Sequence, residues 1–207
     1  MVAKKTMRLF IAGAMILCLL AGCGPPKVKS SGFLSDYDRL RPAQKEEYVQ
    51  YWEKPGVNWK RYTKLIIAPV QVRIVPTEPL VELKKGEAEE LAARLHAALV
   101  KGLHDRYPVV DRPAADVMTI RPALTHLKPV SPALNVASAV LLGVPVDVGE
   151  AAVEAQFADS LSGQVLGELT ASSRGSIVDI TRVWTRWDQV NRAFEIWAQR
   201  LRRAMEE

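Results

Sequence analysis

Ala151-Ala152-Val153-Glu154-Ala155-Gln156-Phe157-Ala158-Asp159, then Ser160-Leu161-Ser162-Gly163, then Gln164-Val165-Leu166-Gly167-Glu168-Leu169-Thr170-Ala171-Ser172, is the stretch from which the fold is read. Val153, Ala155 and Phe157 alternate with Glu154 and Gln156, the period-two pattern of a half-buried strand. The side chains of Asp159, Ser160 and Ser162 can bond nearby backbone, and Gly163 can take a positive φ. The whole stretch therefore reads as a hairpin of two antiparallel strands, 151–159 and 164–172. Asp159 beside Ser160 also invites a catalytic reading. No histidine is near them in sequence and the chain has no Gly-x-Ser-x-Gly elbow, so the turn is preferred. Glu150, Glu154 and Asp159 are read as charges on a solvated face.

Working outward, Val117 to Lys128 predicts a longer strand, with Thr119, Arg121, Ala123 and Thr125 on one face and Met118, Ile120, Leu124 and His126 on the other. Pro122 places it at an edge or a bulge, because proline cannot donate to a ladder. Lys64 to Val75 is a further strand, interrupted at Pro69, and Tyr107 to Asp111 a short one. Glu82 to His104 predicts a helix with Leu91, Leu95, Leu99 and Leu103 on one stripe; acidic Glu87, Glu89 and Glu90 suit its start. A second helix is expected from about Thr181, where Val183, Trp187, Val190, Phe194, Trp197, Leu201 and Ala204 step by threes and fours. The fold class is thus α+β, an α/β sandwich. A mostly antiparallel sheet of about five strands carries two helices, in the order β-α-β-β-β-β-α over residues 64–207, with an aromatic-rich N-terminal arm over 33–63.

Between the long strand and the hairpin, Pro129 to Val148 carries no charged residue before Asp147. Its centre, Leu134 to Val144, is too short to span a bilayer as a helix. It is either a loop with one helical turn tucked against the core or an apolar surface for a partner subunit or the lipid interface. On the second reading Leu134, Val140, Leu141 and Leu142 are contact residues, joined by Trp184 and Ile196, which fall off the seam of the last helix.

The N-terminus predicts an export signal over residues 1–22: basic Lys4, Lys5 and Arg8, an apolar run from Leu9 to Leu20, then small residues. Leu20-Ala21-Gly22-Cys23 has the form of a lipobox, so Cys23 is the expected lipidation site, and residues 23–32 a tether. Two or more acyl chains on that cysteine would anchor the protein firmly. Loss of the signal removes three basic and no acidic residues, leaving 25 basic against 23 acidic. A net charge of +2 gives no support for nucleic-acid binding. Cys18 leaves with the signal, so no internal disulfide is expected.

The opening Gly32-Phe33-Leu34-x-Asp36-Tyr37-x-x-Leu40, the aromatic residues before Pro55-Gly56, and the later Gly149-Glu150-Ala151-Ala152-Val153-Glu154 with Asp159-Ser160-x-Ser162-Gly163 resemble the bacterial lipoprotein family called domain of unknown function 3313. The resemblance covers essentially the whole mature chain and implies an architecture and an address without a mechanism. By likeness to bacterial lipoproteins, Gly24 rather than Asp after the cysteine favours the outer membrane, facing the periplasm.

No phosphate loop, dinucleotide glycine fingerprint, CxxC or His-Glu-x-x-His pattern occurs. His96, His104 and His126 are too scattered to suggest a metal site, and no cofactor is expected. The leading expectation is a non-enzymatic, membrane-anchored adaptor or accessory subunit of an envelope assembly, with a protein partner or a second copy of itself. The alternative is a cell-wall glycan module in which Tyr48, Tyr51, Trp52, Trp59 and Tyr62 stack on sugars.

Overall fold

The computed structural model describes residues 30–44, 48–76, 82–176, 178 and 181–206. The signal segment, Cys23 and the tether as far as residue 29 lie outside them. Among the described residues are seven strands: β1 (Arg41–Pro42), β2 (Val49–Glu53), β3 (Lys64–Ile67), β4 (Gln71–Val72), β5 (Val117–Lys128), β6 (Glu150–Asp159) and β7 (Val165–Arg174). The helices are α1 (Glu87–Leu103), α2 (Pro132–Leu142) and α3 (Asp188–Glu206). One open sheet runs β1-β2-β7-β6-β5-β3, with β4 following β3 along the same edge of β5.

The hairpin forms as its sequence dictates. Asp159 Oδ1 accepts from Ser162 N at 2.9 Å and from Ser162 Oγ at 2.8 Å, and Gly163 takes φ +71°. Tyr62 Oη and Arg61 also donate to Asp159 Oδ2. Led by the Ser162 backbone amide, these donors hold the Asp159 carboxyl at about 2.

Several expectations are corrected. The sheet has seven strands rather than about five and is mixed, because β3 and β4 run parallel to β5 and α1 makes the crossover between them. Part of the expected arm is sheet: Val49–Glu53 pairs antiparallel with Gly167–Ala171 of β7. The Tyr107–Asp111 strand reduces to a single bridge between Leu65 and Val109. A third helix, α2, lies in the segment left open between loop and contact surface. The last helix begins at Asp188; Val183 is buried in the segment before it.

Pro122 is interior, not at an edge. The carbonyls of Ile120 and Leu124 accept from Ala68 and Arg73, so the like-facing nitrogen of Pro122 points into the gap between β3 and β4, where no donor is needed. The bulge lies at Thr125 instead. It shifts the alternation so that Leu127 joins Leu124 in the core while His126 turns to the other face, beside Glu150 at 3.5 Å.

One face of the sheet is the apolar core, covered by α1 and α3. Leu91, Leu95, Leu99 and Leu103 meet Leu65, Met118, Ile120 and Leu124, while Phe194 and Trp197 pack with Val153 and Phe157. The two helices approach closely at Gly102, where an added Cβ would lie 2.7 Å from that of Ala198. Arg186 and Trp187 both donate to Glu87 at the start of α1, and the Arg186 bond leads in holding that carboxyl at about 2.

The other face is polar and carries residues 31–40 as a strap. Glu168, 1% exposed, accepts from Ser35 N and Oγ, Gln156 Nε2 and both Nε and Nη2 of Arg39, the last at 2.6 Å. Burial alone would raise its pKa, but the Arg39 guanidinium and these donors outweigh it and the net shift is downward. Glu154, 3% exposed, accepts from Ser31 Oγ and Tyr37 Oη, both at 2.7 Å. The solvated-face reading of Glu154 and Asp159 is therefore wrong: both are buried and bonded.

Candidate functional site

The C-terminal end of β5 and the N-terminal end of β6 are joined by Pro129–Gly149, which carries α2 at one end of the sheet. Local chemistry starts and stops this helix. Ser131 Oγ accepts from Leu134 N, Pro132 occupies the first turn where its missing donor costs nothing, and Gly143 closes the helix at φ +78° with its N–H on Ala139 O. Asp147 clasps the loop by accepting from Lys128 Nζ at 2.8 Å and Ser131 N at 2.7 Å.

Helix α2 is turned inside out. Its buried residues are Asn135 and Ser138, and its aliphatic residues face solvent. Asn135 is fully buried and uses its entire amide: Nδ2 donates to Asp147 O at 3.0 Å and Val183 O at 2.8 Å, while Oδ1 accepts from Val146 N at 3.0 Å and Asp147 N at 2.7 Å. Four bonds satisfy both donors and both lone pairs. The helix is thereby pinned to the domain by a polar residue, which frees its apolar faces.

Val140 and Leu141 are each 81% exposed, Leu142 68% and Leu134 49%, with Val136, Val144 and Val146 exposed beside them. Single exposed aliphatics are ordinary, whereas this many on one short helix and its following loop is not. Because Val183 O is bonded to Asn135, exposed Trp184 lies beside the foot of α2. Trp184 thus follows the residue to which the first turn of α2 is bonded. Ile196 is half-buried on α3, within the helix layer.

The aromatic residues form no common platform. Tyr51 and Trp52 are consecutive in β2 and point to opposite faces. Trp52 is stacked under Arg39, 3.6 Å from its ring centre. Trp59 donates to Glu53 and packs on the core, Tyr62 is buried against Asp159, and Tyr48 leads into β2 at φ 78°. The glycan-stacking alternative has no support in this geometry. An open pocket of about 390 Å³, including Lys54, Asn58, Arg61 and Gln164, lies beside the hairpin turn, at the far end of β6 from α2.

His96 bonds the Ile67 carbonyl, His104 faces Asp105, and His126 faces Glu150. Among the described residues no group of three or more His, Cys, Asp or Glu is placed to hold a metal ion. No helix there is long and apolar enough to cross a membrane.

Asn135 and the strap residues Ser31, Ser35, Tyr37 and Arg39 were not legible as site builders. For Asn135 a signal exists: it and Ser138, three apart, are the polar side chains in an otherwise apolar helix. Such a pair marks the face that points inward when the rest of the helix has a partner.

A family model described as "Protein of unknown function (DUF3313)" matches residues 29–201. No curated protein matches the chain. Among solved structures it is similar to the PelC dodecamer from Paraburkholderia phytofirmans, at 11% identity over 76% of this chain and 95% of that one, TM-score 0.44. It is also similar to a DUF330 protein from Xanthomonas campestris, at 13% identity over 72% and 86%, TM-score 0.41. A third is a hypothetical protein from Chlamydia trachomatis, at 14% identity over 70% and 94%, TM-score 0.38.

Proposed function

We propose that this chain, which belongs to the DUF3313 family of proteins of unknown function, is an outer-membrane-anchored periplasmic lipoprotein and a non-enzymatic accessory subunit of an envelope assembly. The observation that carries the reading is the outward-facing apolar surface of α2, held rigid by Asn135. A surface whose shape is fixed before binding loses little freedom on association, which suits a structural contact better than an induced one. Anchoring is supported by Leu20-Ala21-Gly22-Cys23 and the apolar run before it; the outer membrane is supported by Gly24. The buried carboxylates Glu154 and Glu168 are bonded to donors within the fold, which supports a structural role for the polar face.

The test is a photo-reactive amino acid at position 141 in living cells, with mass-spectrometric identification of what it captures, beside the same probe at exposed Glu90 on α1. A defined adduct at 141 and none at 90 is the expected result. The absence of any protein adduct at 141, with the chain correctly exported, would overturn the reading. Loss of acyl labelling in Cys23→Ala checks the anchor separately.

A further inference from the structure

We infer that a second copy of this chain covers α2. The inference rests on the reading of α2 as an assembly contact and names its occupant. Leu134, Val136, Val140, Leu141, Leu142, Val144 and Val146 are 46–81% exposed along one short helix and the loop after it, aliphatic surface that association with a like surface would bury. A monomer rarely leaves so many large aliphatic side chains uncovered together. Exposed Trp184 at the margin adds the residue type most often found at the energetic centre of such contacts.

Charge selects among the occupants. Residues 129–146 contain no charged side chain, and the two charges that bound the span, Lys128 and Asp147, are paired with each other at 2.8 Å. The surface therefore offers nothing that electrostatic complementarity to a different protein would use to set partner choice. Identical surfaces usually repel where they carry like charges; here two copies meet without that cost. A membrane surface fits less well. An interfacial helix keeps a charged, usually basic, face toward water, whereas the polar side of α2 is buried in its own domain.

The experiment uses the full chain. Two copies with different tags are co-expressed, extracted in dodecyl maltoside and captured through one tag. Recovery of the second tag is expected. Leu141→Asp with Leu142→Asp in both copies should lower it by about tenfold or more, as expected for central contact residues. Leu141→Met with Leu142→Met should leave it unchanged. Unchanged thermal melts separate loss of contact from loss of fold, and Val140→Asp alone serves if the double variant melts early. No recovery with the wild-type chain, or undiminished recovery with the Asp variants, overturns the inference. If the second tag is absent while position 141 still captures a different envelope protein in cells, the second copy falls and the accessory-subunit reading stands.

Discussion

Replacing Asn135 by alanine tests whether α2 is held as a rigid appendage. The substitution removes four hydrogen bonds of 2.7–3.0 Å and leaves the N–H groups of Val146 and Asp147 and the carbonyls of Asp147 and Val183 without that partner. Orphaned buried groups cost about 1–3 kcal/mol each, but Val146 is exposed and water can reach its N–H. The site at Val183, fully buried, bears the larger penalty. A net loss of about 3–4 kcal/mol in the docking of α2 follows, equivalent to a ~10²–10³-fold rise in local opening. Amide hydrogen exchange reads this directly. Amides of Asn135, Gly143, Val146 and Asp147 should exchange faster by that factor, while those of Val153 and Phe157 in β6 change by less than about tenfold. Asn135→Asp keeps both acceptor bonds but loses both donors and buries a charge, so at neutral pH it should be at least as damaging; acidification should partly restore docking as the carboxyl regains a proton to donate. Equal acceleration in α2 and β6, or none in α2, would refute the reasoning.

Three further outcomes follow from the packing. Gly102→Val should lower unfolding free energy by about 1–3 kcal/mol, because its side chain would meet Ala198 across the α1–α3 contact; denaturant titration with an unchanged slope checks it. Arg39→Ala leaves Glu168 buried without its cation and should destabilise by about 2–3 kcal/mol, less than a fully buried pair because Arg39 is itself about a quarter exposed, whereas Arg39→Ala with Glu168→Gln should recover part of the loss in a double-mutant cycle. Glu87 and Asp159 are both held at about 2, below their unfolded values of 4.5 and 3.8. Their contribution is complete above those values and is lost as pH falls from about 4.5 toward 2, so stability measured at pH 7, 4 and 3 should fall, by about 2 kcal/mol or less from each group, and Glu87→Gln should flatten that decline.

The parts legible in the sequence are those fixed by near neighbours. The β6–β7 hairpin follows from alternation and the Asp159–Gly163 turn, and α1 from its leucine stripe, since both patterns are set within one element. Strands β1 and β2 leave little mark on the sequence because they are short: β2 becomes strand by pairing with β7, more than 100 residues away, and β1 only by pairing with β2. The His126 face was misread because a bulge at Thr125 leaves no mark on periodicity. At the candidate site, the apolar residues were visible as a run, but the residue that orients them was not: Asn135 acts through Val183, forty-eight positions on.

The strap over the polar face would give the proposed lipid anchor a history. Ser31, Ser35 and Arg39 are held by Glu154 and Glu168, carboxylates 123 to 133 positions later, so the first described residues cannot settle until the last two strands have formed. If Cys23 is acylated, the folded domain hangs from at most seven peptide links between it and Ser30, about 25 Å at full extension. Before β7 is in place β2 has no partner in the rest of the sheet, so the leash runs on to β3 at Lys64 and can extend to about 140 Å. On such an anchor, completing the fold would reel the domain in, and an Arg39 variant would ride farther from the bilayer even where it keeps its shape.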